Sequence, residues 1–127
     1  MKIKTSELEG AALDWAVAKA VGQDVTEQGV YIQERRAGQD GSVSLTKTWV
    51  AFSPSTDWSQ GGPLIESHDV SCSRVDKIIT KGGNALYWMA SCPSGFKGLG
   101  LTPLIAACRA IVAAKLGDVV DVPEELV

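Results

Sequence analysis

The chain has 127 residues, 45% hydrophobic and 21% charged, which suits one globular domain spanning 1–127 and excludes a largely disordered chain. With 15 acidic against 12 basic residues the net charge is −3, and Arg35-Arg36 is the only adjacent basic pair, so non-specific nucleic-acid binding is disfavoured. The three cysteines form no CxxC, no apolar run reaches the roughly 18 residues of a membrane span, and Met1-Lys2-Ile3-Lys4 leads into polar residues instead of an apolar signal core; the expectation is a cytoplasmic protein with reduced thiols and no membrane partner.

Lys2 to Thr5 reads as a short edge strand. Ser6-Glu7-Leu8-Glu9 then has the form of a capping box, in which the serine hydroxyl and the glutamate reach each other's main-chain N–H. A helix is expected to follow to about Val21, with Leu8, Ala12, Trp15, Ala16 and Lys19 on one stripe and Leu13, Val17 and Ala20 beside it. Glu7 and Asp14 fall on the opposite side, and Gly22 is placed to end the helix. The middle of the chain reads as β: strands at Gly29–Arg36 and Val43–Phe52 around a hairpin loop Ala37 to Ser42, then Val70–Ile79 and Ala85–Ala90 around a Gly82-Gly83-Asn84 turn. Near Gly38 to Ser42 local disorder is conceivable on composition. Thr102 and Pro103 are an N-cap and a first helical residue. The apolar face Leu104, Ile105, Cys108, Ile111, Val112 and Leu116, set among five alanines, describes a helix buried on more than one side and ended by Gly117. Val119 to Val122 returns as a strand. The expected fold is α+β: a small, mostly antiparallel sheet with two helices packed on one face.

Several segments resemble the NinX-like family of phage and prophage accessory proteins. They are Lys4-Thr5-Ser6-Glu7-Leu8 with Ala12 to Ala18, Ser53 to Glu66, Thr102 to Arg109, Lys115 to Asp118, and Val122 to Leu126. The resemblance implies a small phage-borne protein of unknown function in the cytoplasm of an infected or lysogenic bacterium. It supplies no catalytic residues, and the stretches Gln23 to Thr48 and Ser67 to Leu101 lie outside it.

Two segments have the chemistry of a ligand site. Ser53 to Gly62 gathers Ser53, Ser55, Thr56, Asp57, Trp58, Gln60, Gly61 and Gly62. One reading is a structured loop with Trp58 pinned into the core and Asp57 closing an Asx turn; the other is a binding loop in which Trp58 stacks on a ring. Gly95 to Pro103 is a glycine-rich stretch running into a helix start, where Lys97, Gly98, Gly100 and Thr102 would favour an anion, although a connector with an ordinary cap explains the same residues. Neither a P-loop nor a complete dinucleotide fingerprint is present.

Catalytic and metal sites find little support. His68 is the only histidine, no GxSxG occurs, and the carboxylates Asp57 and Glu66 form no specific pattern. His68 and Cys72 fall well short of a four-ligand zinc site. The residues therefore favour a non-enzymatic binder of a small anionic, ring-containing, nucleotide-like ligand, with no cofactor and no metal. Given phage origin, one role would be sequestering a host antiviral-defence signal. The alternative is an interaction module acting on a host or phage protein. A homodimer is expected from the apolar C-terminal helix and the four tryptophans.

Overall fold

The structure, a computed structural model, describes residues 1–26, 29–38, 40–80 and 83–127, with backbone only at 24, 26, 29–37, 43–50, 76–80 and 83–86. In chain order the described elements are β1 (Lys2–Lys4), a 3-10 turn (Thr5–Glu7), α1 (Gly10–Ala20), β2 (Asp24–Thr26), β3 (Gly29–Ala37), β4 (Val43–Val50), α2 (Trp58–Ser67), β5 (Ser71–Thr80), β6 (Gly83–Ser91), β7 (Lys97–Gly100), α3 (Pro103–Leu116), β8 (Val119–Asp121) and a 3-10 turn (Glu124–Leu126). The class is α+β, as expected. The strands divide into three antiparallel sheets, ordered β1-β8, β2-β3-β4 and β5-β6-β7, and α2 is a third helix where a loop was expected.

Local chemistry accounts for the element ends. The capping box at Ser6 and Glu9 does not form. Ser6 sits in the 3-10 turn, and Glu9 precedes α1 with an extended backbone and no side-chain cap bond. The competing interaction is long-range: Thr5 Oγ1 donates to Gly117 O at 2.6 Å and Thr5 N to Asp118 O at 2.7 Å, which ties the turn to the end of α3. At the other end of α1, Gln23 N donates to Ala18 O and Gly22 N to Lys19 O with Gly22 at φ +82°, the paired bonds of a Schellman stop. Thr102 Oγ1 accepts from Ile105 N at 3.1 Å and Pro103 opens α3, as the residues predict. In the β3–β4 loop, Gly38 N donates to Ser42 O and Ser42 Oγ to Asp40 Oδ1 at 2.7 Å, while Gln39 lies outside the described residues. The expected Gly82 turn also lies outside them; Gly83 and Asn84 begin β6, opposite Thr80 and Ile79.

α3 is the centre of the molecule. One side of it, through Cys108 and Val112, packs with Leu8, Leu13, Val17, Val120 and Val122. Another side, through Ala106, Ala107, Ala110 and Ile111, packs with Val70 and Ala90 of the β5-β6-β7 region. Trp15 and Ile105, expected in the core, are only partly buried at its margin. The alanines of α3 let β7 lie directly on the helix. A Cβ built on Gly98 would meet the main chain of Ala106 and Ala110, and one built on Gly100 would lie 2.6 Å from Ile105 Cγ2.

Candidate ligand-binding site

The Ser53 to Gly62 segment is a turn followed by the first half of α2. Asp57 is the N-cap: its carboxylate accepts from Ser59 N at 2.9 Å and from Ser59 Oγ at 2.6 Å. Gln60 ties the turn back on itself, accepting from Ser53 N at 2.6 Å and donating to Ala51 O at 2.7 Å. Thr56 is exposed, and its hydroxyl reaches Ser53 O only at 3.5 Å. Gly61 is buried because Pro54 O and Leu104 Cδ2 crowd the position a side chain would take, whereas Gly62 faces open space. Trp58 is 58% exposed and is therefore not pinned into the core.

Ser55 is the buried member of this segment. Its N–H donates to Asp14 Oδ1 at 2.9 Å, and its hydroxyl is buried near the same carboxylate with no hydrogen-bond partner among the described residues. Asp14, assigned to the solvent side of α1 by its periodicity, is thus turned inward as an anchor for the turn. Burial raises its pKa above the ordinary 3.8, offset in part by Ser55 beside it. A raised folded-state pKa means that the folded chain holds this proton more tightly than the unfolded one. Its contribution to stability is full below about 3.8 and is lost as pH rises through the folded value. Asp14→Asn keeps an acceptor for Ser55 N–H and removes the charge, so it should match or exceed the parent's stability at neutral pH, its advantage shrinking as pH falls. Asp14→Ala leaves a buried donor unpaired and should cost about 1–3 kcal/mol. Denaturant titrations of both variants across the acidic-to-neutral range check this; a parent more stable than Asp14→Asn at every pH would refute it.

The glycine-rich stretch is not a loop at the helix start. Lys97 to Gly100 form β7, paired with Ser91 to Trp88 of β6. Gly98 and Gly100 point inward and permit close packing on α3, while Thr102 caps Ile105 N. The helix N-terminus is therefore already furnished with an acceptor.

Lys97 and Gly98 instead line a cavity of about 670 Å³ bounded by the turn after β1, by β6 and β7, by α3 and by the start of β8. None of Ser53 to Gly62 lines it, nor does Gly100 or Thr102. Its cations are Lys4, Lys97 and Arg109, its one carboxylate among the described residues is Asp118, and Tyr87 and Met89 supply a ring and an apolar wall. Arg109 is held across the cavity's edge: Nε donates to Leu8 O at 2.9 Å and a terminal nitrogen to Leu99 O at 2.7 Å. Burial lowers its pKa, with Glu9 and Tyr87 acting in the opposite sense, but a guanidinium stays charged at neutral pH. The sequence reading missed Lys4, Tyr87, Met89, Arg109 and Asp118 as site residues. One signal was available, since Arg109 is the one charge in the middle of α3, whose other charge, Lys115, sits in its last turn.

Burial works against thiolate formation at the three cysteines. Cys108 is buried, and burial together with the negative charge of Asp14 pushes its pKa up to about 12. Burial also raises Cys72 and Cys92. Among the described residues no group of three His, Cys, Asp or Glu side chains could hold a metal ion, and no helix is long and apolar enough to cross a membrane.

A family model described as Bacteriophage P22, NinX matches residues 4–115 of the chain. No curated protein matches it.

Proposed function

We propose a ligand-binding role for this chain, which belongs to the Bacteriophage P22 NinX family. In this reading the protein is a non-enzymatic binder of a small anionic, ring-containing, nucleotide-like molecule, working in the cytoplasm of the infected or lysogenic host. The observation that carries it is the cavity, where three cations and a tyrosine ring meet in a space of about 670 Å³. That is within the roughly 300–1,000 Å³ typical of small-molecule sites, which combine an apolar wall with a few placed polar groups. Lys97 and Gly98 belong to this cavity. Ser53, Ser55, Thr56, Asp57, Trp58, Gln60, Gly61, Gly62, Gly100 and Thr102 do not line it, and a part for them in binding is proposed on their chemistry alone. Phage kinship supports sequestration of a host antiviral-defence signal as the role.

The test is extraction of small molecules from the purified protein, followed by direct binding measurements. A bound nucleobase chromophore in the extract supports the reading. Lys97→Ala should weaken an anionic ligand and flatten the salt dependence of its affinity, because one exposed charge leaves the site. Trp58→Ala reports the Ser53 to Gly62 segment separately: lost affinity with an unchanged melting temperature places Trp58 against the ligand. Unchanged affinity in both variants removes the ligand reading.

A second reading, an interaction module for a host or phage protein or for a second copy of the chain, is favoured by the apolar side chains left in solvent. Trp58, Leu101, Phe96 and Leu99 are all exposed, and Leu101 reaches 65%. Sedimentation separates monomer from homodimer, and a host-lysate pull-down repeated with Trp58→Ala tests whether that residue contacts a partner.

A further inference from the structure

Strand pairing shows which main-chain groups of β7 face away from β6. Cys92 N donates to Phe96 O at 2.9 Å at the closed end of the β6–β7 hairpin. Hydrogen-bonded and non-hydrogen-bonded pairs alternate along an antiparallel ladder. With 92 and 96 bonded, the pairs Ala90–Gly98 and Trp88–Gly100 are bonded as well, and Lys97 and Leu99 turn their N–H and C=O groups away from β6. The bond from Arg109 to Leu99 O lies on that outward side, in agreement. β7 is the last strand of its sheet, so among the described residues no strand pairs with the edge carrying the N–H groups of Lys97 and Leu99, and both residues line the cavity. On β6, Trp88 and Ala90 pack toward α3, so alternation turns Tyr87 and Met89 to the other face, beside Leu99.

From this geometry we infer that the cavity takes a nucleoside monophosphate, in class a phosphate monoester of a hydroxylated sugar bearing a ring, and discriminates against the triphosphate; the inference rests on the ligand-binding reading above. The phosphate meets Lys97 and Lys4 with the outward N–H groups of the β7 edge, and the ring lies against Tyr87 and Met89. Charge sets the phosphate number. Three cations against the single carboxylate of Asp118 leave a surplus of two positive charges among the described lining residues. A phosphate monoester carries about −1.5 to −2 at neutral pH and is matched by that surplus. Each further phosphate adds charge without a cation to meet it. Two bonds to main-chain carbonyls fix Arg109, so it does not swing to follow a longer chain. Asp118 repels the added phosphates and can accept a hydrogen bond from a sugar hydroxyl.

The experiment is calorimetric titration of the full chain with the four common ribonucleoside monophosphates, the matching nucleosides and triphosphates, and inorganic phosphate. At least one monophosphate should bind, at least about tenfold more tightly than its nucleoside, its triphosphate and phosphate alone. Asp118→Asn, at an exposed side chain, should narrow the gap between monophosphate and triphosphate without changing the melting temperature. A triphosphate or bare nucleoside that binds as tightly as the monophosphate overturns the inference and leaves the ligand-binding reading standing. An unchanged gap in Asp118→Asn overturns the charge argument. Failure of every compound to bind overturns the inference and the ligand-binding reading together.

Discussion

Replacing Gly98 by alanine is expected to lower stability by about 3 kcal/mol, the upper part of the range for overpacking. The added methyl would meet Ala106 O and Ala110 N and lie 3.0 Å from Arg109 Cβ. Two of those three neighbours are main-chain atoms of a helix that is packed on more than one side, so they cannot move aside as a flexible side-chain tip would. Gly62→Ala is the control. Gly62 is a glycine within helix α2, nothing lies within 4 Å of the new methyl, and the helix should gain about 0.5–1 kcal/mol from the lost glycine flexibility. Urea titrations of the two variants should move in opposite directions. Equal midpoints would mean that β7 does not lie on α3 as described.

The same glycines show how far the sequence could be read. Gly-x-Gly before Thr102-Pro103 carries two meanings, an anion-binding loop or a strand that hugs a helix, and one sequence cannot choose between them. The choice depends on the alanines of α3, because only a helix with small side chains can take a strand this close. The ends of α3 were readable because Thr102, Pro103 and Gly117 act through neighbours in the chain. The start of α1 was not, because Thr5 bonds to Gly117 and Asp118, more than a hundred residues away. Helix α2 was read as a loop since Gly61, Gly62 and Pro63 are all poor helix formers. Its formation follows from contacts that composition does not display: the Asp57 cap, the Gln60 tie and the close seat of Gly61 on Leu104.

The candidate site was legible only in part for a related reason. Lys97 and Gly98 were singled out, but for a helix-end anion site, not for the edge of a strand. Lys4, Tyr87 and Arg109 come from three separate elements and Asp118 from the turn between α3 and β8, and no spacing rule joins them. Asp14 looked exposed by helical periodicity, yet it is 9% exposed because Ser55 brings a main-chain donor to it. A buried polar residue on a helix records what packs against the helix, which amphipathic counting does not contain.

Ile111→Ala is expected to cost about 2–5 kcal/mol, in the upper half of that range. Ile111 is 1% exposed, and the buried residues clustered with it are Val70, Ala90, Ala106, Ala107 and Ala110. Alanines have no rotamers with which to fill a void, and those on α3 are fixed by the helix that also carries the other core cluster. The space left by the missing carbons should therefore persist, and the cost of a cavity grows with the volume that remains. A small domain is stable by about 5–15 kcal/mol, so this one change removes a large share of it. In urea the midpoint should fall with the slope unchanged, because the unfolded surface is nearly the same. Trp58→Ala removes a larger side chain, but one that is 58% exposed, and it should shift the midpoint far less. If Ile111→Ala cost less than about 0.5 kcal/mol, the β5-β6-β7 sheet would not be packed on this face of α3, and the cavity bounded by β7 and α3 would lose its wall.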